Sequence, residues 1–172
     1  MKGSKKTYNQ PKEKNKVEEP VAIYMNSIIA PIGAIGLMGM ESEKAFAEIK
    51  NEKDFISLIR TGIPKEAMDN LMERIGLSPI EMAAITHTSD RTLRRYTPKQ
   101  KLSQDQSERI IEVARLYSRG INVFGGIPEF KEWMDMNLLP LGNKKPKEFL
   151  DTSLGIGMLL DELGRIEHGI FA

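Results

Sequence analysis

Cysteine is absent from all 172 residues. That excludes disulfide frameworks, cysteine-ligated zinc and thiol catalysis, and it fits a protein kept in a reducing cytoplasm. Histidine is nearly as scarce: His87 and His168 lie far apart, with no carboxylates clustered around either. This leaves too few ligands for a metal and no pair for acid–base work. No nucleophile-and-base pair or phosphate loop is visible, and Gly155 and Gly157 lack both a preceding strand and a third glycine. The chain is expected to be no enzyme, with no catalytic residue, no metal and no cofactor. Net charge is also small, at +1, so any nucleic-acid role has to come from local charge. One run could pass for a membrane segment, residues 20–40, but Asn26, Ser27, Pro31, Gly33, Gly36 and Gly39 interrupt it. We expect no membrane insertion and instead an apolar arm packed on the domain or on a second copy of the chain.

Charge is distributed unevenly. Residues 1–20 hold six Lys against three Glu, residues 89–101 three Arg and two Lys against one Asp, and residues 151–172 four acids against Arg165. The first 19 residues are polar and aperiodic, so they read as a basic tail without a core of its own. The hydrophobic content of 40% is ample for a core elsewhere.

The densest positive run coincides with a helix-turn-helix pattern. Ser78 before Pro79 is a helix start, and Met82, Ala83 and Ile85 give that short helix a buried side. After a break at His87 and Thr88, Ser89 can cap a second helix. There Leu93 and Tyr96 share one face, while Arg91, Thr92, Arg94 and Arg95 are left outward. A basic second helix after a tight turn suits major-groove reading, with Arg94 and Arg95 the expected base readers and Lys99 beside them.

Around this pair the pattern is helical throughout. Residues 41–60 carry Phe46, Ile49, Phe55, Ile56 and Ile59 at helical spacing, ended by Gly62 and Pro64. Met68, Leu71, Met72 and Ile75 mark the next helix, with Gly76 at its C-terminus. Ser103 caps a long helix whose Ile110, Ala114, Tyr117, Ile121 and Phe124 form a seam, expected to be core within the chain because it is too short for a coiled coil. Pro128 opens a short helix with Phe130, Trp133 and Met134, and Pro146 opens a further turn. A final helix beginning at Gly155 or Gly157 carries Leu159, Leu163, Ile166 and Ile170. The chain is therefore expected to be all-α, with at most one short strand in the apolar arm.

RTLRR followed by LSQDQSERI, then FGGIPEFKEWM and NLLPLGNKKPKEFLDTSLGIGMLLDELGRIEHGI, make the chain resemble an Xre-type antitoxin. The family meant is the one whose C-terminal part is the Xre/MbcA/ParS toxin-binding domain. The likeness spans roughly residues 36–172, and its several motifs in this order are specific where each alone is weak. It implies an Xre-like helix-turn-helix domain over 41–101 and a small α-helical toxin-binding domain over 102–172, while the basic tail and apolar arm over residues 1–40 are read from composition and not from the likeness.

The resemblance also implies function. The expected partner is a RES-domain toxin that consumes NAD or ADP-ribosylates a target, its active site occluded by the C-terminal helix and tail of the antitoxin. The second partner is operator DNA, contacted by a homodimer within a hetero-oligomeric toxin–antitoxin complex that represses its own operon. Matched by position, Ser89, Arg91, Thr92, Arg94 and Arg95 face DNA, while Gly157, Leu160, Arg165, Glu167, Gly169, Ile170 and Phe171 fall in the segment facing the toxin. At the turn, His87 stands where glycine is usual and Thr86 where an apolar residue is usual, which predicts an altered turn geometry or docking angle. The competing reading is a stand-alone helix-turn-helix regulator with no toxin partner.

Overall fold

A computed structural model describes residues 32–41, 44–51 and 53–169. The expectations for the basic tail, for residues 20–31 of the apolar arm and for Ile170 and Phe171 lie outside these residues. The helices are α1 (32–37), α2 (Lys44–Ala47), α3 (Asp54–Thr61), α4 (Lys65–Ile75), α5 (Pro79–Ile85), α6 (Asp90–Arg95), α7 (Gln104–Phe124), α8 (Ile127–Asp135) and α9 (Ser153–Glu167). Two 3₁₀ turns, Leu139–Leu141 and Pro146–Phe149, join α8 to α9. No strand occurs among the described residues, only isolated bridges between Pro64 and Lys101 and between Leu138 and Lys144. The fold is all-α.

Local chemistry accounts for most helix ends. Ser78 and Ser103 each form a reciprocal capping box, with Glu81 and Gln106 respectively, which satisfies two otherwise orphaned amides at each helix start. The hydroxyl of Ser89 accepts from the Thr92 amide. Gly76 closes α4 in the left-handed region with φ 74°, its amide donating to the Met72 carbonyl. Pro64 precedes α4 and offers no side-chain cap. The loop after α6 supplies the missing acceptors: Lys65 N donates to the Gln100 carbonyl and Glu66 N to the Pro98 carbonyl, each at 2.9 Å.

The organising element is α7, which contacts α3, α4, α8 and α9. Ile110, Ala114 and Tyr117 of the expected seam are buried, but so are Ile111, Val113 and Leu116 off that seam. A helix apolar on several sides is a core helix, and the seam is used within the chain. Where α8 crosses it, Phe130 lies edge-on to Tyr117 at 5.1 Å and stacks on Trp133 at 5.6 Å. Gly120 makes that crossing possible, because a Cβ there would sit 2.3 Å from the Phe130 ring. Burial pushes the Tyr117 phenol well above its ordinary pKa.

Three elements differ from the sequence pattern. Residues 41–60 form two helices, α2 and α3, separated by a break in which Asp54 accepts the amides of Lys50 (2.8 Å) and Asn51 (3.0 Å). Those bonds hold its carboxyl below the usual aspartate range. Ile56 consequently lies outward while Phe55 and Leu58 point in. The final helix begins at Ser153, two residues before Gly155, because Thr152 caps it by accepting the Gly155 amide at 3.0 Å. Residues 32–37 of the apolar arm are helical, and no strand is found in the described part of that arm. Ala34 and Met38 are buried there, and Asn70 Nδ2 donates to the Met38 carbonyl at 3.0 Å. Among the described residues no helix is long and apolar enough to cross a membrane.

Candidate functional site: a basic recognition helix and the outward face of the last helix

The helix-turn-helix pair is α5 and α6, joined by residues 86–89. His87 takes φ 50°, the left-handed conformation in which glycine is at ease and a side chain costs about 1–2 kcal/mol. The turn therefore keeps the conformation that glycine would give it, contrary to the altered geometry expected from His87. A non-local contact supports it: His87 Nε2 lies 2.8 Å from the Asp151 carbonyl, at the entrance to α9. Thr86 is tolerated in the buried position because its hydroxyl donates to the Met82 carbonyl at 2.8 Å.

On α6, Leu93 alone is fully buried, and Arg91, Arg94 and Arg95 are exposed. The three arginines are not equivalent. Arg94 Nε donates to both oxygens of Asp90, at 3.0 and 2.8 Å, a pairing one helical turn apart that holds the side chain against its own helix. Among the described residues the side chains of Arg91 and Arg95 make no ion pair or hydrogen bond, so both guanidinium groups are open to a phosphate or base edge. Ser89 Oγ and Thr92 Oγ1 lie 2.8 Å apart at the helix start. Lys99 is exposed on the loop whose carbonyls cap α4, which places it on a fixed support.

At the other end, α9 packs on α7 through Ile156, Leu159 and Leu163, all buried. Burying a leucine contributes about 1.5–3 kcal/mol, so these residues anchor the helix. Polar contacts lock its ends. Ser153 donates to Glu112 at 2.8 Å and accepts from Arg109 at 2.6 Å, and Glu167 is ion-paired with Arg119 of α7. Gly155 is pressed against the Phe149 carbonyl, which a Cβ would meet at 2.1 Å.

The outward face of α9 has a different texture. Leu154 is 78% exposed and Met158 41%, and the same face carries Gly157, Asp161, Gly164 and Arg165 by helical spacing. Among the described residues a Cβ at Gly157 or Gly164 would meet no atom outside the helix's own backbone within 4 Å, so neither glycine is required by packing against the described neighbours. Of the residues matched to the toxin-facing segment, Gly157 and Arg165 lie on this face, with Arg165 paired to Glu162 at 2.6 Å. Leu160 is 36% exposed on the flank, and Glu167 is turned toward α7 by its ion pair. Gly169 takes φ 67° just after the helix. Sequence reasoning missed Leu154 and Met158, although their spacing of four on a helix opposite the buried stripe was a usable signal.

Two family models match the chain in the order of these two ends. One, an antitoxin Xre-like helix-turn-helix domain, matches residues 54–115. The other, an antitoxin Xre/MbcA/ParS C-terminal toxin-binding domain, matches residues 119–169. The helix α7 runs from one matched region into the other. Among curated proteins, an "Antitoxin Xre" of Yersinia enterocolitica is 28% identical over 119 residues, covering 68% of this chain and 80% of its own length. A second "Antitoxin Xre", from Photorhabdus laumondii, is 28% identical over 116 residues, covering 66% and 78%. The chain belongs to the Xre-type antitoxins, with an Xre-like helix-turn-helix domain followed by an Xre/MbcA/ParS C-terminal toxin-binding domain.

Proposed function

We propose that this antitoxin acts in the cytoplasm against a RES-domain toxin that consumes NAD or ADP-ribosylates a target, laying α9 and the residues after it over the toxin's active site. The observation that carries the reading is the outward face of α9. It exposes Leu154 and Met158 beside two glycines that no packing among the described residues requires, on a helix whose opposite face is anchored and whose ends are locked. A fixed, partly apolar face left uncovered by the described residues is suited to a protein partner. Arg165 lies on the same face, Leu160 and Glu167 stand at its flank, and Gly169 follows the helix, with Ile170 and Phe171 next in sequence.

The second half of the proposal is autorepression. A homodimer, held within the toxin–antitoxin complex, would present two copies of α6 to a two-fold operator. Arg91 and Arg95 are available there, Ser89 and Thr92 stand at the helix start, Lys99 lies on its pinned loop, and Arg94 is held by Asp90. The decisive experiment is co-expression with the neighbouring gene. A Leu154→Asp, Met158→Asp double variant should fold and accumulate as the wild type does yet fail to rescue growth. Full protection by that variant would refute the role of α9.

A further inference from the structure

Neither matched domain alone builds the cleft between α5 and the approach to α9. Leu77, Ala84 and Ile85 line one wall and Leu150 and Asp151 the other, around a cavity of about 230 Å³. A cavity of about 150 Å³ holds a benzene-sized group, so this one has room for one apolar side chain. Its walls are fixed to each other. His87 Nε2 lies 2.8 Å from the Asp151 carbonyl, and Lys147 is ion-paired with Asp135 at 2.6 Å and Glu81 at 3.8 Å. On each side stands an uncovered aliphatic residue. Ile80, one turn before Ala84 on the same helix face, is 75% exposed, and Leu154, three residues after Asp151, is 78% exposed.

The rim carries Glu81, Glu148 and Asp151 against Lys147. A net acidic rim repels phosphate, so the occupant is a protein side chain and not DNA. One wall and Leu154 belong to the matched toxin-binding region, which makes the cleft continuous with the outward face of α9. We propose that the toxin's footprint crosses this cleft onto the helix-turn-helix domain. In that arrangement one apolar toxin side chain, bordered by Lys or Arg, seats between Ala84 and Leu150, with Ile80 and Leu154 as flanking contacts. The proposal rests on the α9 reading above and adds α5 to the interface.

The test titrates the purified neighbouring-gene toxin with the full-length chain by calorimetry, alongside operator binding and melting temperature. The wild type is compared with Ile80→Ser, Ala84→Gln, Leu154→Ser and, as a control at an exposed leucine that does not line the cleft, Leu139→Ser. Ile80→Ser, Ala84→Gln and Leu154→Ser should each weaken toxin binding about tenfold or more, as loss of a buried interface contact does, and Leu139→Ser should not. If Leu154→Ser weakens binding while Ile80→Ser and Ala84→Gln bind as the wild type does, the footprint stops at α9. That would overturn the present inference and leave the proposed function standing. If all three bind normally, the α9 reading falls as well. Loss of operator binding by Ile80→Ser with toxin affinity intact would assign this surface to DNA and overturn the inference.

Discussion

Replacing Gly157 and Gly164 with alanine should stabilise the free antitoxin and impair its binding to toxin. Both glycines lie inside the 15-residue helix α9, and among the described residues a Cβ at either would meet no atom outside the helix's own backbone within 4 Å. Alanine is better than glycine in a helix interior by about 0.8–1 kcal/mol. The sites are two turns apart, about 10 Å along the axis, so the gains should add to roughly 1.6–2 kcal/mol. For a chain of this size each kcal/mol moves the melting temperature by about 2–4 °C, giving a rise of about 3–8 °C by calorimetry. In the complex the added methyls would stand where the partner approaches, and overfilling a packed contact costs about 1–3 kcal/mol, which is about 5- to 150-fold in Kd. A raised melting temperature with unchanged Kd would show that nothing approaches this face. An unchanged or lowered melting temperature would refute the claim that the glycines serve no purpose within the chain.

Operator affinity should depend steeply on salt: with six phosphates neutralised by a dimer, log K falls by about 0.9 per phosphate per log unit of salt, losing about a thousandfold between 50 and 200 mM. A flat response in a mobility-shift titration would count against α6 as a DNA reader. At the turn, His87→Gly should melt about 2–8 °C above His87→Ala, because both lose the bond to Asp151 but only alanine retains about 1–2 kcal/mol of left-handed strain; equal melting would remove strain from the account. The Glu81 carboxyl is partly buried, which opposes ionisation, but the Ser78 hydroxyl and amide and Lys147 outweigh this and hold it below the usual glutamate range. A lowered carboxylate contributes stability above its unfolded value, about 4.3, and loses it as pH falls through the folded value. Urea midpoints for the wild type should therefore drop more steeply below about pH 4.3 than those of Glu81→Gln, and parallel curves would contradict the assignment.

The parts of this fold legible in the sequence are those decided within a turn or two of chain. Ser78, Ser89 and Ser103 announce helix starts because each caps an amide three residues on, and Gly76 ends α4 for an equally local reason. The pairing of Asp90 with Arg94 was also readable from its spacing of four. What was not legible depends on partners far along the chain. Asp151 steadies His87 across 64 residues, Arg119 draws Glu167 toward α7 across 48, and the burial of α7 on several sides exists only once α3, α8 and α9 are in place. The break before α3 was hidden because Asp54 caps backward, onto residues 50 and 51, so the hydrophobic spacing continued across it. The toxin-facing residues were expected in a segment by resemblance, whereas the face proposed within that segment rests on which side of α9 the described core leaves uncovered.

The most direct test of that face uses the chain's own methionines, with Met158 exposed on α9, Met136 exposed at the end of α8, and Met68 and Met82 buried. With the methionine methyls isotopically labelled and the neighbouring-gene toxin added to saturation, methyl NMR should show Met158 shifted most, with Met136, Met68 and Met82 little changed. An unperturbed Met158 in a saturated complex would contradict the claim that this antitoxin holds its toxin with the outward face of α9.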